Sequence, residues 1–450
     1  MNPALSASRA SPARIGLFTA VAILVTNMIG TGVFTTLGFQ LAGIESPAAI
    51  LLLWLLGGVT ALCGAAVYGE LGVVFPRSGG EYNYLSRTCH PLPGFLAGWL
   101  SATVGFAAPV ALSAKAFGAY LAKVLPQIHP TAVACACILA VAAIHAAGVR
   151  EGSLFQNLVT AIEIGLILLL IIAGLSLASP QPVSWSPDRR TLQEVFSAPF
   201  AVSLVYVSYA YSGWNAATYV AGEIRKPRRN LPAALLIGTA LVTVLYVLLN
   251  VTFLRTAPVA EMKGALEVAH VSSSHIFGEA GARIMSLVLC VALLGSVSGM
   301  TLAGPRVPFV MAEDYPVFKA LLRRNRRGSP FVAVALQSTI ALVLVLSGTF
   351  EAILTYIGFA LSLCTCLTVA GIFVVRARES AEPASYRCWG YPVTPILFLA
   401  LNLWMLVFIL WQRSVASALG LLTICSGVPL YFYLRRRVST PGEPPPPSPA

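Results

Sequence analysis

The sequence predicts an all-α polytopic membrane protein. Twelve transmembrane helices form a five-plus-five inverted repeat with broken helices 1 and 6, followed by two terminal helices. Three observations carry this. First, 57% of the 450 residues are hydrophobic and 10% charged, with a mean hydropathy of +0.80, whereas water-soluble domains hold roughly 25% charged residues. Second, apolar runs near the ~20 residues that cross a bilayer core recur along the chain. Third, glycine interrupts the middle of two of them, at Ile29-Gly30-Thr31-Gly32 and at Ser212-Gly213-Trp214-Asn215.

In chain order, residues 1–14 are a short cytoplasmic segment. The apolar runs are 15–42, 48–76, 93–125, 130–147, 153–178, 196–222, 231–254, 273–305, 329–347, 350–375, 390–411 and 414–434. The run 273–305 is longer than a span requires. The first repeat covers 15–178, the second 196–375, and the terminal pair 390–434; residues 435–450 are a basic and then proline-rich tail whose composition predicts disorder. Five spans is an odd number, so the second repeat enters from the opposite face, and each repeat opens with its broken helix. Arg9 and Arg14 resemble the start of a signal peptide, but the following run is too long and has no convincing cleavage site.

The net charge of +12 orients the chain. With the N-terminus cytoplasmic, 21 of the 29 Lys and Arg residues fall on inside segments, seven outside, and Lys115 within a span. That bias is the positive-inside rule, and it puts both termini inside. Basic charge spread over alternate loops argues against nucleic acid. Most of the nine cysteines lie within spans. Cys135-x-Cys137 and Cys364-x-Cys366 read as small apolar residues in packed helices, so no metal site is expected. No cofactor motif or catalytic constellation is present, so an enzyme is not expected.

Breaking a helix in lipid exposes backbone groups that need partners, which is tolerated where the break lines a cavity. At ~1.5 Å per residue both interruptions fall near the midplane. The half-helices starting near Val33 and Ala216 would offer free N–H groups and positive dipole ends to a carboxylate. The carbonyls before each break suit an ammonium, and a free amino acid supplies both charges. The competing reading is that the glycines only allow helices to pack closely.

Three stretches resemble the amino acid–polyamine–organocation superfamily. They are Met28–Tyr84, with MIGTGVF, YGELG and PRSGGEYNY; Tyr209–Pro232 (YAYSGWNAATYVAGEIRKPRRNLP); and Gly295–Pro316 (GSVSGMTLAGPRVPFVMAEDYP). The second is similar to the L-type amino acid transporter branch, and the likeness extends over about 15–434. It implies alternating access and carriage of amino acids or related amines. It further implies that Ile29, Gly30, Thr31 and Gly32 contact substrate through backbone, that Tyr209 closes over it, and that Ser212, Gly213 and Asn215 line the unwound sixth span. Tyr209 as an ordinary core tyrosine is the alternative. Members with an accessory glycoprotein use a cysteine between spans 3 and 4, where this chain reads LPQIHP (Leu125–Pro130). No disulfide-linked accessory subunit is therefore expected, and the chain resembles a stand-alone prokaryotic member of a bacterial inner membrane.

Three ionisable residues lie well inside spans, and each is a functional candidate because burying charge is costly. Glu70, near the inner end of span 2, is expected to be structural or to serve an inner gate, either staying wet or pairing with Arg77, Arg87 or a basic residue of the 225–229 cluster. Glu81 and Glu223, nearer the surface, read likewise. Glu163 lies at the depth of both breaks, where many of the similar carriers hold a lysine. It either couples transport to protons, favours a cationic substrate, or is a neutral acid bonded within the bundle. Lys115, in span 3, either snorkels outward, pairs with Glu163, or meets an acidic substrate group. His145 reads as packed. The pocket is expected to draw on 103–108 of span 3 and 356–361 of span 10, with Ala107, Ala108, Gly358 and Ala360 leaving room for a side chain.

The function these readings imply is a secondary active transporter of amino acids. A proton-linked carrier of cationic amino acids or polyamines is the alternative. A channel or membrane sensor is a more distant one.

Overall fold

A computed structural model describes residues 15–147, 152–325, 329–378 and 385–438. The segment 1–14, the tail from residue 439 and the basic residues Arg150, Arg326 and Arg327 lie outside the described residues.

The first span is two helices, α1 (Leu17–Met28) and α2 (Thr31–Gln40). Then come α3 (Pro47–Val74) and a short helix, α4 (Glu81–Thr88). The third span joins α5 (Pro91–Leu100) to α6 (Ala107–Val124) through a π-helical turn, Ser101–Gly105. α7 (Pro130–Ala147) and α8 (Gly152–Ser176) follow. The second set opens with α9 (Arg189–Val195) lying before α10 (Ala198–Ala210), whose span continues as a 3₁₀ segment, Ala216–Glu223. Next are α11 (Pro227–Thr256), α12 (Val259–Met262), α13 (Val268–Ala303) and α14 (Arg306–Asp314), then a 3₁₀ segment, Pro316–Leu322. The chain ends with α15 (Phe331–Ser347), α16 (Phe350–Ala377), α17 (Val393–Gln412), α18 (Ser414–Cys425) and α19 (Gly427–Val438).

Among the described residues eight helical stretches are long and apolar enough to cross a membrane, and four shorter apolar helices lie at 130–146, 161–176, 198–210 and 331–347. Together they fall on the twelve runs read from sequence. α10 is short because its span is interrupted at Tyr211. The over-long eighth run resolves at Gly278, whose φ of 72° breaks α13, so that 268–277 precede the spanning part. Helix starts are set by local chemistry. Ser46 before Pro47 accepts the Ala49 N–H at 3.3 Å, Ser197 accepts from Phe200 at 3.4 Å, and Thr349 accepts from Ala352 at 3.2 Å.

Burial follows membrane logic. α1, α2, α3, α10 and α11 form the interior, with Trp54, Tyr68, Tyr206, Tyr211 and Tyr246 wholly enclosed. Apolar side chains of the outer helices face outward, among them Ile172, Leu346, Val415 and Leu422. In lipid that exposure costs nothing, so helix association rests on close packing. Glycines allow it: a Cβ on Gly58 of α3 would lie 2.3 Å from Thr243 of α11.

Candidate functional site

The two broken spans meet. α1 ends at Met28, Ile29 and Gly30 are extended, and α2 restarts at Thr31, two residues earlier than the expected Val33. α10 ends at Ala210, Gly213 takes a φ of +99°, and the 3₁₀ segment restarts at Ala216. A Cβ on Gly32 would lie 2.5 Å from the Ala210 Cα, and one on Gly213 would lie 2.5 Å from the Asn27 carbonyl oxygen. Each break is thus pressed against the last turn of the opposite helix. Tyr246 of α11 serves both ends: its hydroxyl meets the Met28 carbonyl at 2.5 Å and the Ala210 carbonyl at 3.2 Å. These are two of the carbonyls that helix termini leave without intrahelical partners.

Beside this junction is a cavity of ≈ 110 Å³. Asn27 and Ser212, Gly213, Asn215 and Tyr219 line it from the broken spans. Ser101, Gly105 and Phe106 contribute from the third span, Ser362, Cys364 and Thr365 from α16, Asn402 from α17, and Glu81 from α4. The π-helical turn and the 3₁₀ segment therefore both sit on its wall. A single π turn or 3₁₀ stretch inside a helix often marks a functional site or hinge.

Of the residues expected from sequence, Ser212, Gly213 and Asn215 reach the cavity. Ile29, Gly30, Thr31, Gly32 and Tyr209 are outside its lining. Gly32 is sealed against Ala210, and the Tyr209 side chain lies beside that of Thr31. The first span instead meets the cavity at Asn27, whose own carboxamide is anchored to the Ile23 carbonyl at 2.7 Å. Ala107, Ala108 and Ala360 are buried in helix contacts, and Gly358 packs on Val205. The pocket on the third and tenth spans thus lies nearer 101–109 and 361–365.

The buried charges have partners that spacing did not reveal. Lys115 donates to the Val345 carbonyl near the end of α15 at 3.0 Å, rather than pairing with Glu163. Glu70 is wholly buried and pairs with Arg376 of α16, Nε lying 2.8 Å and Nη2 2.9 Å from its two oxygens. The Cys388 N–H also donates to Glu70 at 2.6 Å. Burial and then the Glu70 carboxylate push the Cys388 thiol up to about 12. Arg77, expected beside Glu70, instead bonds Glu313 and Asp314 at 2.9 Å each, joining the loop before α4 to α14. Burial opposes its charge, but the Asp314 hydrogen bond and carboxylate hold the guanidinium above its ordinary value.

Glu163 is buried beside Ser296 of α13. Ser296 in turn lies where a Cβ on Gly30 would meet its hydroxyl at 3.5 Å. Glu163 therefore touches the first break through one serine, while its Oε2 has no hydrogen-bond partner among the described residues. His145 shares a 2.9 Å hydrogen bond with Ser298.

Glu81 is the residue that sequence reading placed too far out. It is 6% exposed, lines the cavity, and accepts from Tyr68 at 3.0 Å, from Tyr219 at 2.8 Å and from the Asn215 amide. Its signal was Gly79-Gly80 immediately before it. Both adopt positive φ, 119° and 54°, turning the chain back at the start of α4.

A family model described as "Amino acid permease" matches residues 15–427. The chain is similar to the mouse (Mus musculus) large neutral amino acids transporter small subunit 2, 29% identical over 430 residues, covering 93% of this chain and 80% of that protein. It is likewise 29% identical over 430 residues to the human (Homo sapiens) b(0,+)-type amino acid transporter 1, covering 93% and 87%. To the serine/threonine exchanger SteT of Bacillus subtilis (strain 168) it is 26% identical over 433 residues, covering 94% and 97%.

Proposed function

The chain belongs to the amino acid permease family, and from that membership we propose that it carries an amino acid across a bacterial inner membrane by alternating access, with both termini cytoplasmic. The substrate's carboxylate and amine are held where the two broken spans meet. The observation that carries this reading is the reciprocal contact of the breaks, Gly32 on Ala210 and Gly213 on Asn27, beside a cavity that Asn27, Ser212 and Asn215 help to line. Two interruptions bring non-helical backbone N–H and C=O groups close together, which suits a zwitterion. Ile29 to Gly32 enter that cavity when Thr31 and Tyr209 part, as a second conformation would require. The loop LPQIHP has no cysteine, which supports a carrier that works without a disulfide-linked subunit.

The test is uptake by the purified chain in liposomes. Saturable entry of a labelled amino acid, accelerated by unlabelled amino acid on the opposite side, is the expected result. Flux without saturation or counter-substrate stimulation would mark a channel and overturn the reading.

A second reading, carriage of cationic amino acids or polyamines linked to protons, has a specific support. Two acidic groups, Glu81 on the cavity and Glu163 behind the first break, are held by uncharged partners. Competition by arginine or putrescine against leucine or alanine separates the two readings.

A further inference from the structure

Glu81 connects three elements that alternate access would have to separate. Tyr68 belongs to α3, Glu81 opens α4, and Asn215 and Tyr219 belong to the restart of the sixth span. Gly80 makes the approach feasible, since a Cβ there would lie 2.5 Å from the Tyr219 ring. Further along the same 3₁₀ segment, Gly222 N–H donates to Ser78 at 3.1 Å, and Ile15 and Ile224 form a two-bond bridge through Glu223 and Arg225 at 3.0 and 2.8 Å. These contacts join the start of the first span and the loop before α4 to the 3₁₀ segment.

Of these contacts among the described residues, the Asn215 and Tyr219 side chains also face the cavity beside Glu81. The Asn215 Nδ2 carries two protons. One goes to Glu81, and the other points towards the Tyr219 hydroxyl at 3.4 Å. Its amide has therefore no proton left for a newcomer. A carboxylate arriving at the sixth break is an acceptor of the same kind as Glu81 and must take one of those protons. It also brings a like charge towards Glu81 in a region of low dielectric.

We propose that Glu81 is a positioning residue of the substrate site. It holds Asn215 and Tyr219 in the closed arrangement, and a bound carboxylate that recruits the Asn215 amide loosens this latch and lets the 3₁₀ segment swing away from α4. The proposal rests on the reading that substrate binds at the breaks. Hydrogen bonds to an ionised acceptor are about twice as strong as neutral ones, so removing the charge while keeping the shape isolates the latch from simple packing.

Cys364 supplies a native reporter, because it lines the same cavity and is 6% exposed. The experiment measures modification of Cys364 by a small thiol reagent in the purified full chain, located by peptide mass mapping, with and without saturating amino acid. Wild type should be modified slowly, and faster with an amino acid that it transports. Glu81→Gln should be modified about five- to tenfold faster without any amino acid, with little further increase on adding it. Tyr219→Phe, which keeps the carboxylate and removes one donor, should be intermediate, and it stands in should Glu81→Gln misfold. In liposomes Glu81→Asp should restore wild-type KM more fully than Glu81→Gln. Because losing a nearby negative charge by itself favours the reactive thiolate, Tyr219→Phe decides: an unchanged Cys364 rate in that variant, while amino acids are still taken up, overturns the latch. Faster modification of Tyr219→Phe with no amino acid response in any protein upholds the latch and overturns the substrate reading.

Discussion

The hydroxyl of Tyr246 lies 2.5 Å from the carbonyl oxygen of Met28, the last residue of the first half-helix. The same hydroxyl is 3.2 Å from Ala210, the last residue of the other interrupted helix. One side chain of α11 therefore satisfies the ends of both breaks and fixes their separation. It has a single proton, which must be shared between two acceptors.

Tyr246→Phe keeps the ring and its contacts with Trp54 and Tyr211 but removes that proton. A buried carbonyl left unpaired costs about 1–3 kcal/mol. The expected outcome is a lower Tm in detergent and slower uptake, read by thermal unfolding and liposome assays. An unchanged Tm would mean that the two carbonyls find another donor.

Gly213→Ala should abolish transport. Its φ of +99° costs an L-residue about 1–2 kcal/mol, and the new Cβ would collide with the Asn27 carbonyl at 2.5 Å. Gly264→Ala is the control, with φ of 74° and no neighbour within 4 Å. It should lower stability but leave KM intact. Equal uptake by both variants would show that the contact between breaks is not needed.

The Glu70–Arg376 pair should behave as a buried ion pair. Glu70→Leu or Arg376→Met alone strands a charge and is expected to cost about 3–5 kcal/mol. The double variant should recover much of that, because two apolar side chains remove the desolvation penalty together. Additive losses in thermal unfolding would instead assign the cost to lost packing.

For Glu163 and Lys115 the geometry separates two tests. Glu163→Gln preserves shape beside Ser296, so uptake measured at several pH values isolates the carboxyl proton. An altered pH profile is expected if that proton is coupled to transport, and an unchanged profile removes the role. Lys115→Glu combined with Glu163→Lys should show no compensation, since Lys115 bonds the Val345 carbonyl. Rescue by the double reversal would contradict this arrangement.

Much of this architecture is legible in the order of residues. Hydropathy is a local property, and a bilayer demands ~20 apolar residues per span with every backbone group bonded inside. The runs, their charge bias and the two glycine interruptions therefore appear without tertiary information. The reciprocal breaks were legible for a second reason: Gly30, Gly32 and Gly213 lie where lipid tolerates no gap in a helix unless protein encloses it.

The side-chain partners were decided by packing. Glu70 and Arg376, Lys115 and Val345, and Glu81 and Asn215 are far apart in the chain. Depth along a helix follows from counting residues at ~1.5 Å each, but the neighbour a residue faces depends on how separate helices rotate and cross. Glu81 makes the point best. Counting placed it near the surface, and only the turn at Gly79 and Gly80 carries its carboxylate back to the cavity wall.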